Sequence, residues 1–411
     1  MKGIRRCFIS LCLAFVVVLF LFMIITNHCT AQEKVIKIGI PIPLTGGEAK
    51  FGEMMKHGFE IAREEINRSG GIRKGKFEGF LLQFVYEDEL GKPEKARSAT
   101  ERLITREDVK IVMGGYSSSC SFAIAGVAQA YKTPFICIVG SADQITQRGW
   151  EWVFRIAQPA SGYTSALRDF LDKVVKPQTM AIVHENTLFG TSCAKAMKKW
   201  CKEKGIQVVI SETYEKGSMD FKPMLTKIKS KDPDVLFGVS YLMDAMLIAR
   251  QIKELRLFPR KGVLAGGAAG YALPAFLEGA KDAAEHWLVG TLWSQDVPYK
   301  GARKFYDTFF KKVGYPPTYH AVQAHAGAYV VREAMENVES LKNEQIRIAL
   351  QKVSIMTPFG PVKFENKDNY TNQNTTPTLV LQVLGGKHVT VWPPDFAQKK
   401  YVYPMPQWKE Q

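Results

Sequence analysis

From Val35 to Leu292 the chain repeats one pattern: a short apolar run, a turn rich in Gly, Ser or Pro, then a longer stretch with apolar residues at helical spacing. Parallel strands need a crossover connection, and an amphipathic helix is the usual one, so this alternation constrains the fold to doubly wound parallel sheets. Expected strands lie at 35–42, 81–86, 109–113 and 135–139, and a second series at 180–183, 208–210, 235–239, 262–265 and 286–292. Helices are expected at 51–67, 93–105 and 122–131, then at 165–175, 190–204, 221–229 and 244–255. At 411 residues the chain exceeds what one core sustains, so the two series imply two α/β lobes. Three further helices (302–312, 321–337, 344–352) precede strands at 361–364, 379–384 and 388–391. The tail from Pro393, rich in proline and aromatics, is expected to wrap the surface.

In such sheets ligands sit beyond the carboxyl ends of the strands. There the most informative stretch is Val109–Met113, then Gly114-Gly115-Tyr116-Ser117-Ser118-Ser119, then a helix. Two glycines allow a tight turn, and a helix start presents unpaired N–H groups and the positive end of its dipole. Ser117, Ser118 and Ser119 beside that start suit a carboxylate, although a serine N-cap is the commoner use of such a junction. Thr45 and Ser141 fall at other strand ends.

Residues 1–31 read differently. Lys2, Arg5 and Arg6 precede an apolar run from Phe8 to Ile25, and Cys29-Thr30-Ala31 supplies small residues, the pattern of a cleaved export signal. An uncleaved membrane anchor is the alternative, since the run approaches spanning length. Beyond residue 31 the chain keeps 52 basic against 40 acidic residues, about +12. The lysines are spread over helix faces with no nucleic-acid motif, so the charge reads as a solvated surface that can steer anions. Cys120, Cys137, Cys193 and Cys201 show neither CxxC nor zinc spacing and read as isolated thiols. His320 and His325 are about 140° apart on a helix and share no metal-binding face. No metal or cofactor is expected.

Ile38-Gly39-Ile40-Pro41-Ile42-Pro43-Leu44-Thr45-Gly46, Gly52, Ile66-Asn67-Arg68-Ser69-Gly70-Gly71-Ile72, Glu87-Asp88, Thr146-Gln147-Arg148-Gly149, Phe154-Arg155 and Phe189-Gly190 occur in this order. The series resembles the periplasmic binding proteins of branched-chain amino acid ABC transporters over nearly all of the chain beyond residue 31. The resemblance implies two Rossmann-like lobes joined by three hinge crossovers, near Ala157, Thr291 and Asn366. Lobe one would be 32–157 with 292–366, lobe two 158–291 with 367–395, and the tail 396–411. It implies a ligand carboxylate gripped by Ser118 and Ser141, with Tyr116, Ser117 and Ser119 beside them. The Gly140 carbonyl would receive a ligand amine, and Phe51, Phe189 and Tyr241 would be aromatic walls. It also implies a monomer that hands its ligand to membrane permease subunits and has no catalytic turnover.

One position departs from the family pattern. The acid that pairs with a ligand amino group is replaced by Gly and Ala around Gly267, in the stretch 265–270. A buried ammonium without a counter-charge is costly, so a carboxylate with an apolar or aromatic tail fits better than a branched-chain amino acid. Asp244 is the remaining candidate counter-charge, with a helix-start role as its alternative. Three rival readings are weaker. Gly115-Tyr116-Ser117-Ser118-Ser119 lacks the last glycine of a hydrolase elbow. The 266–270 glycines do not form a dinucleotide fingerprint. A sensing partner for a separate signalling protein shares the fold and differs only in role.

Overall fold

The computed structural model describes residues 34–267 and 269–408; the expected export segment, 1–31, lies outside them. The first sheet gathers β1 (Val35–Ile42), β2 (Leu81–Asp88), β3 (Ile111–Gly114), β4 (Phe135–Cys137) and β5 (Val153–Arg155). The second gathers β6 (Thr179–Glu185), β7 (Gln207–Tyr214), β8 (Val235–Val239), β9 (Leu264–Gly267) and β10 (Leu288–Thr291). After a hairpin of β11 (Ser354–Thr357) and β12 (Gly360–Lys363), β13 (Glu365–Lys367) and β14 (Tyr370–Gln373) complete the first sheet. Finally, β15 (Leu379–Val383) and β16 (His388–Trp392) complete the second. The strand orders are β13-β14-β5-β4-β3-β1-β2 and β16-β15-β10-β9-β8-β6-β7. Central pairs such as β3–β4 and β8–β9 are parallel, and β15 adds antiparallel to β10. β3 and β8 are buried at every residue, which is why they read as unbroken apolar runs.

The chain passes between the sheets three times: after β5, after β10 and after β14. The first two passages fall where the expected crossovers near Ala157 and Thr291 lie. The third falls between Gln373 and Leu379, beyond the expected Asn366, because β13 and β14 are short strands that pair within the first sheet. Their polar sequence, Glu365-Asn366-Lys367 and Tyr370-Thr371-Asn372-Gln373, carries no apolar strand signal.

The 49–68 and 319–335 helices pack against each other on the first sheet. Gly58 makes this possible: a Cβ there would stand 2.1 Å from the Ala321 carbonyl oxygen. That close approach fixes the start of the 319–335 helix, and with it Tyr319 and His320, beside Phe51 and Tyr116. The tail folds back on the second lobe, where Met405 N–H donates to the Gly262 carbonyl and Val402 N–H to Gln382 Oε1.

Candidate functional site

On the first lobe, two turns converge. β3 runs into Gly114-Gly115, and the 118–130 helix starts immediately after. β4 runs into the turn 138–142. A Cβ on Gly115 would lie 2.6 Å from Ser121 Oγ, and one on Gly140 2.4 Å from the same atom. Only glycines let both turns close on the first turn of the helix. Ser117 is the N-cap: its Oγ accepts from the Cys120 N–H at 3.3 Å. Ser118 has another task. Its Oγ accepts from the N–H groups of Ser141 (3.1 Å) and Ala142 (3.0 Å), tying the two turns together. With its acceptor side engaged, the Ser118 hydroxyl proton is left to donate. Ser141 Oγ donates to the Val139 carbonyl at 3.0 Å, which leaves its lone pairs free to accept. The first N–H groups of the helix, at Ser118 and Ser119, have no acceptor within it.

Arg155 holds the second turn from behind. It is wholly buried, yet no carboxylate pairs with it. Its guanidinium donates to the Ala142 carbonyl (2.7 Å), Thr146 Oγ1 (2.8 Å) and Gln373 Oε1 (2.6 Å). A longer contact, 3.4 Å, reaches the Gly140 carbonyl, which also accepts from Cys137 Sγ at 3.6 Å. The carbonyl expected to receive a ligand amine is therefore turned toward groups of its own lobe.

On the second lobe, β6 ends in Glu185, whose carboxyl links two helix starts. It accepts from Thr187 Oγ1 (2.7 Å), the N-cap of the 188–204 helix, and from the N–H of Tyr241 (3.1 Å), which precedes the 242–254 helix. Those starts carry Phe189 and Tyr241, whose rings stack at 5.7 Å. A Cβ on Gly190 would meet the Glu185 carbonyl oxygen at 2.3 Å, so Phe189 must be followed by glycine. Burial pushes the Glu185 carboxyl up to about 8.

The two walls enclose a central space of about 10 Å³, room for roughly one water. It is lined by Tyr116, Ser118, Val139, Ser141, Tyr163, Phe189, Tyr241, Ala269 and Tyr319. The expected Ser118, Ser141, Tyr116, Phe189 and Tyr241 thus meet. Phe51 stands one layer back, stacked on Tyr116 at 4.2 Å. Gly267 belongs to β9, where an added Cβ would face the Phe237 ring at 3.1 Å; Ala269 takes the expected place at the cleft. Asp244 is buried away from it, both carboxylate oxygens 3.2 Å from the Gly217 N–H. Among the described residues, none lining the central space carries a charge.

Tyr163 and Tyr319 escaped the sequence reading, and His320 was weighed there only as a metal ligand. The Tyr163 and Tyr319 hydroxyls bond to each other, and Tyr319 stacks on His320 at 3.9 Å. Burial pulls His320 down to about 3, so it is a neutral ring. Nothing in the local pattern marked them: Tyr163 sits in a crossover, and Tyr319 follows Pro316-Pro317-Thr318. The seam between the lobes was missed as well. Lys216, in the loop after β7, pairs with Glu48 at the start of the 49–68 helix and lies 4.6 Å from the centre of the Tyr241 ring. Burial holds the Glu48 carboxyl above its usual range, against the lowering effect of Lys216.

Two α/β lobes joined by three crossings and closing on a cleft at their strand ends define a two-lobed ligand-clasping protein. The chain belongs to the periplasmic binding protein family, whose sequence pattern matches residues 35–387. That family comprises substrate-binding proteins of ABC transporters and is not enzymatic. Leu/Ile/Val-binding protein homolog 7 of Brucella melitensis is 29% identical, over 87% of this chain and 91% of its own. Homolog 8 of the same organism is 27% identical, over 90% and 94%. Among solved structures, the leucine-binding protein LivK of Thermotoga maritima superposes with a TM-score of 0.79 at 23% identity, covering 88% of this chain and 99% of its own. An ABC transporter solute-binding protein of R. palustris, in complex with benzoate, gives 0.75 at 20% identity, covering 87% and 95%. Among the described residues no helix is long and apolar enough to cross a membrane.

Proposed function

We propose that this protein is the extracytoplasmic solute-binding component of an ABC importer. Exported by residues 1–31, it closes on a small carboxylate-bearing ligand and delivers it to a membrane permease. The ligand is an apolar or aromatic acid, with a branched-chain amino acid as the alternative. One observation carries the choice of ligand. The cleft combines paired hydroxyls and a helix start with five aromatic rings, and no acid stands among its described lining residues. The Ser118 hydroxyl and the unpaired N–H groups of Ser118 and Ser119 would hold the carboxylate as neutral donors, joined by the Ser141 hydroxyl when its proton turns from the Val139 carbonyl to the ligand. Tyr116, Phe189 and Tyr241 would cover the tail. The neighbours named for leucine and for benzoate fall on the two sides of this choice.

The test is competition at matched ionic strength, read by calorimetry and by thermal shift. Leucine, valine and phenylalanine are set against benzoate and short aliphatic acids. Tight binding of an acid without an amine is expected. Leucine bound more tightly than every acid without an amine would return the protein to the amino-acid class.

A further inference from the structure

Behind the central cleft lies a second and far larger cavity, of about 480 Å³. That volume is in the range of small-molecule sites, whereas the central space holds little more than a water. The two cavities share one residue, Tyr319. The turn 269–272 borders both, with Ala269 on the central space and Ala272 on the larger cavity. Tyr319, held by its hydroxyl contact to Tyr163, is therefore the partition. The far cavity has apolar sides from Leu277, Trp293, Tyr306 and Leu381, and a polar end at Ser294, Gln295 and Asp296. Asp296 and Ser294 are occupied with Thr390, whereas the buried Gln295 Oε1 accepts from no group of the protein. A buried acceptor of this kind calls for a donor.

We propose that the ligand's tail passes Tyr319 into this second cavity, and that Tyr319 sets the ligand length the protein accepts. The inference rests on the carboxylate reading above and deepens it. With the carboxylate at the Ser118 and Ser141 turns, the Tyr116 and Tyr241 rings, 5.7 Å apart between centres, leave no room between them for a long tail. A longer tail has one roomy continuation, and it opens when the Tyr319 side chain turns away from Tyr163. The substrate class is then acids longer than a single ring, such as aryl-alkanoates, with a hydroxyl at the far end to donate to Gln295.

The test uses the mature chain and three probes: benzoate, 5-phenylpentanoate and 5-(4-hydroxyphenyl)pentanoate. By calorimetry, the wild type is expected to bind both long acids at least as tightly as benzoate, and the hydroxylated one more tightly still. Leu277→Trp, which fills the far cavity, should weaken both long acids at least tenfold more than it weakens benzoate. The wild-type series needs no variant to fold, so it decides alone if Leu277→Trp is unstable. Benzoate bound tenfold or more tighter than both long acids overturns the length inference and leaves the carboxylate reading standing. An equal loss for all three probes in a folded Leu277→Trp overturns it as well. Failure of every acid to bind removes the carboxylate reading and the tail site with it.

Discussion

The first-lobe wall of the cleft presents hydroxyls and N–H groups on turns locked from behind by Arg155, whereas the second-lobe wall presents rings on two helix starts that share the carboxyl of Glu185. The supports differ in kind. A guanidinium stays charged at any physiological pH, and this one spends its donors on neutral oxygens. A carboxyl raised to about 8 changes charge within the range a cell meets. The comparison teaches that the polar wall is built to be rigid, while the aromatic wall is held by a group that responds to its surroundings.

The sharpest way to break this contrast is Arg155→Met. The loss removes a charged donor from Gln373 Oε1, Thr146 Oγ1 and the Ala142 carbonyl, each hydrogen bond worth about 1.5–3 kcal/mol, and leaves only the Thr146–Gln373 and Ile145–Ala142 bonds in their place. Denaturant unfolding should show the largest destabilisation of any change considered, with ligand binding lost alongside. A variant as stable as the wild type would show that the polar wall is not held from behind.

Ser118→Ala comes next. In the proposed role it removes a charge-assisted hydrogen bond of about 1.5–3 kcal/mol, so calorimetry should find affinity weakened roughly ten- to a hundredfold. Stability should fall too, because the Ser141 and Ala142 N–H groups lose their acceptor. From sequence the expected stability cost is only that of a lost cap, about 1 kcal/mol, but Ser117 is the cap. Unchanged affinity would remove Ser118 from the site.

On the opposite wall the probe is pH. The folded Glu185 value, about 8, lies above the ordinary 4.5, so the folded state holds the extra proton. Its stabilising contribution is complete below about 4.5 and is lost as pH rises through about 8. The wild type should lose up to about 1.4 kcal/mol per pH unit in this window relative to Glu185→Gln, measured by urea unfolding at several pH values. Parallel profiles would mean that folding does not raise the Glu185 carboxyl.

The smallest effect belongs to the seam. Lys216 is about a third exposed, so the Lys216→Met variant should lose only about 0.2–1 kcal/mol of closure, a few-fold in affinity. The wild type should approach the variant at high salt. A salt-independent difference would assign Lys216 to packing against Tyr241 rather than to the ion pair.

The alternating architecture was legible because parallel strands are buried on both faces and leave continuous apolar runs, as in Val235–Val239. β13 and β14 were not legible, because an edge strand of three residues and its neighbour of four leave no such run. Ser118, Ser141, Phe189 and Tyr241 could be named because each stands at a strand end next to a glycine or a helix start. Tyr163, Tyr319 and Lys216 could not, since only the tertiary approach of a crossover, a distant helix and a loop brings them to the cleft. Asp244 misled for the same reason: its helix-start position was plain, but its partner, the Gly217 N–H, is 27 residues away in the chain.

The rings that meet between the lobes also make the protein its own competitor. In the closed form Tyr116 and Phe51 meet Tyr241 at 5.7 and 6.4 Å between ring centres, and Tyr319 is bonded to Tyr163. A guest gains only the margin by which its contacts exceed those it displaces, and each aromatic pair is worth about 0.5–1.5 kcal/mol beyond its buried area. The measured dissociation constant is then the intrinsic one divided by the fraction of molecules whose rings stand apart. On the proposed reading, an acid with more flat surface gains more against these contacts than a small one does. Size discrimination of this sort operates before any steric limit at the walls is reached.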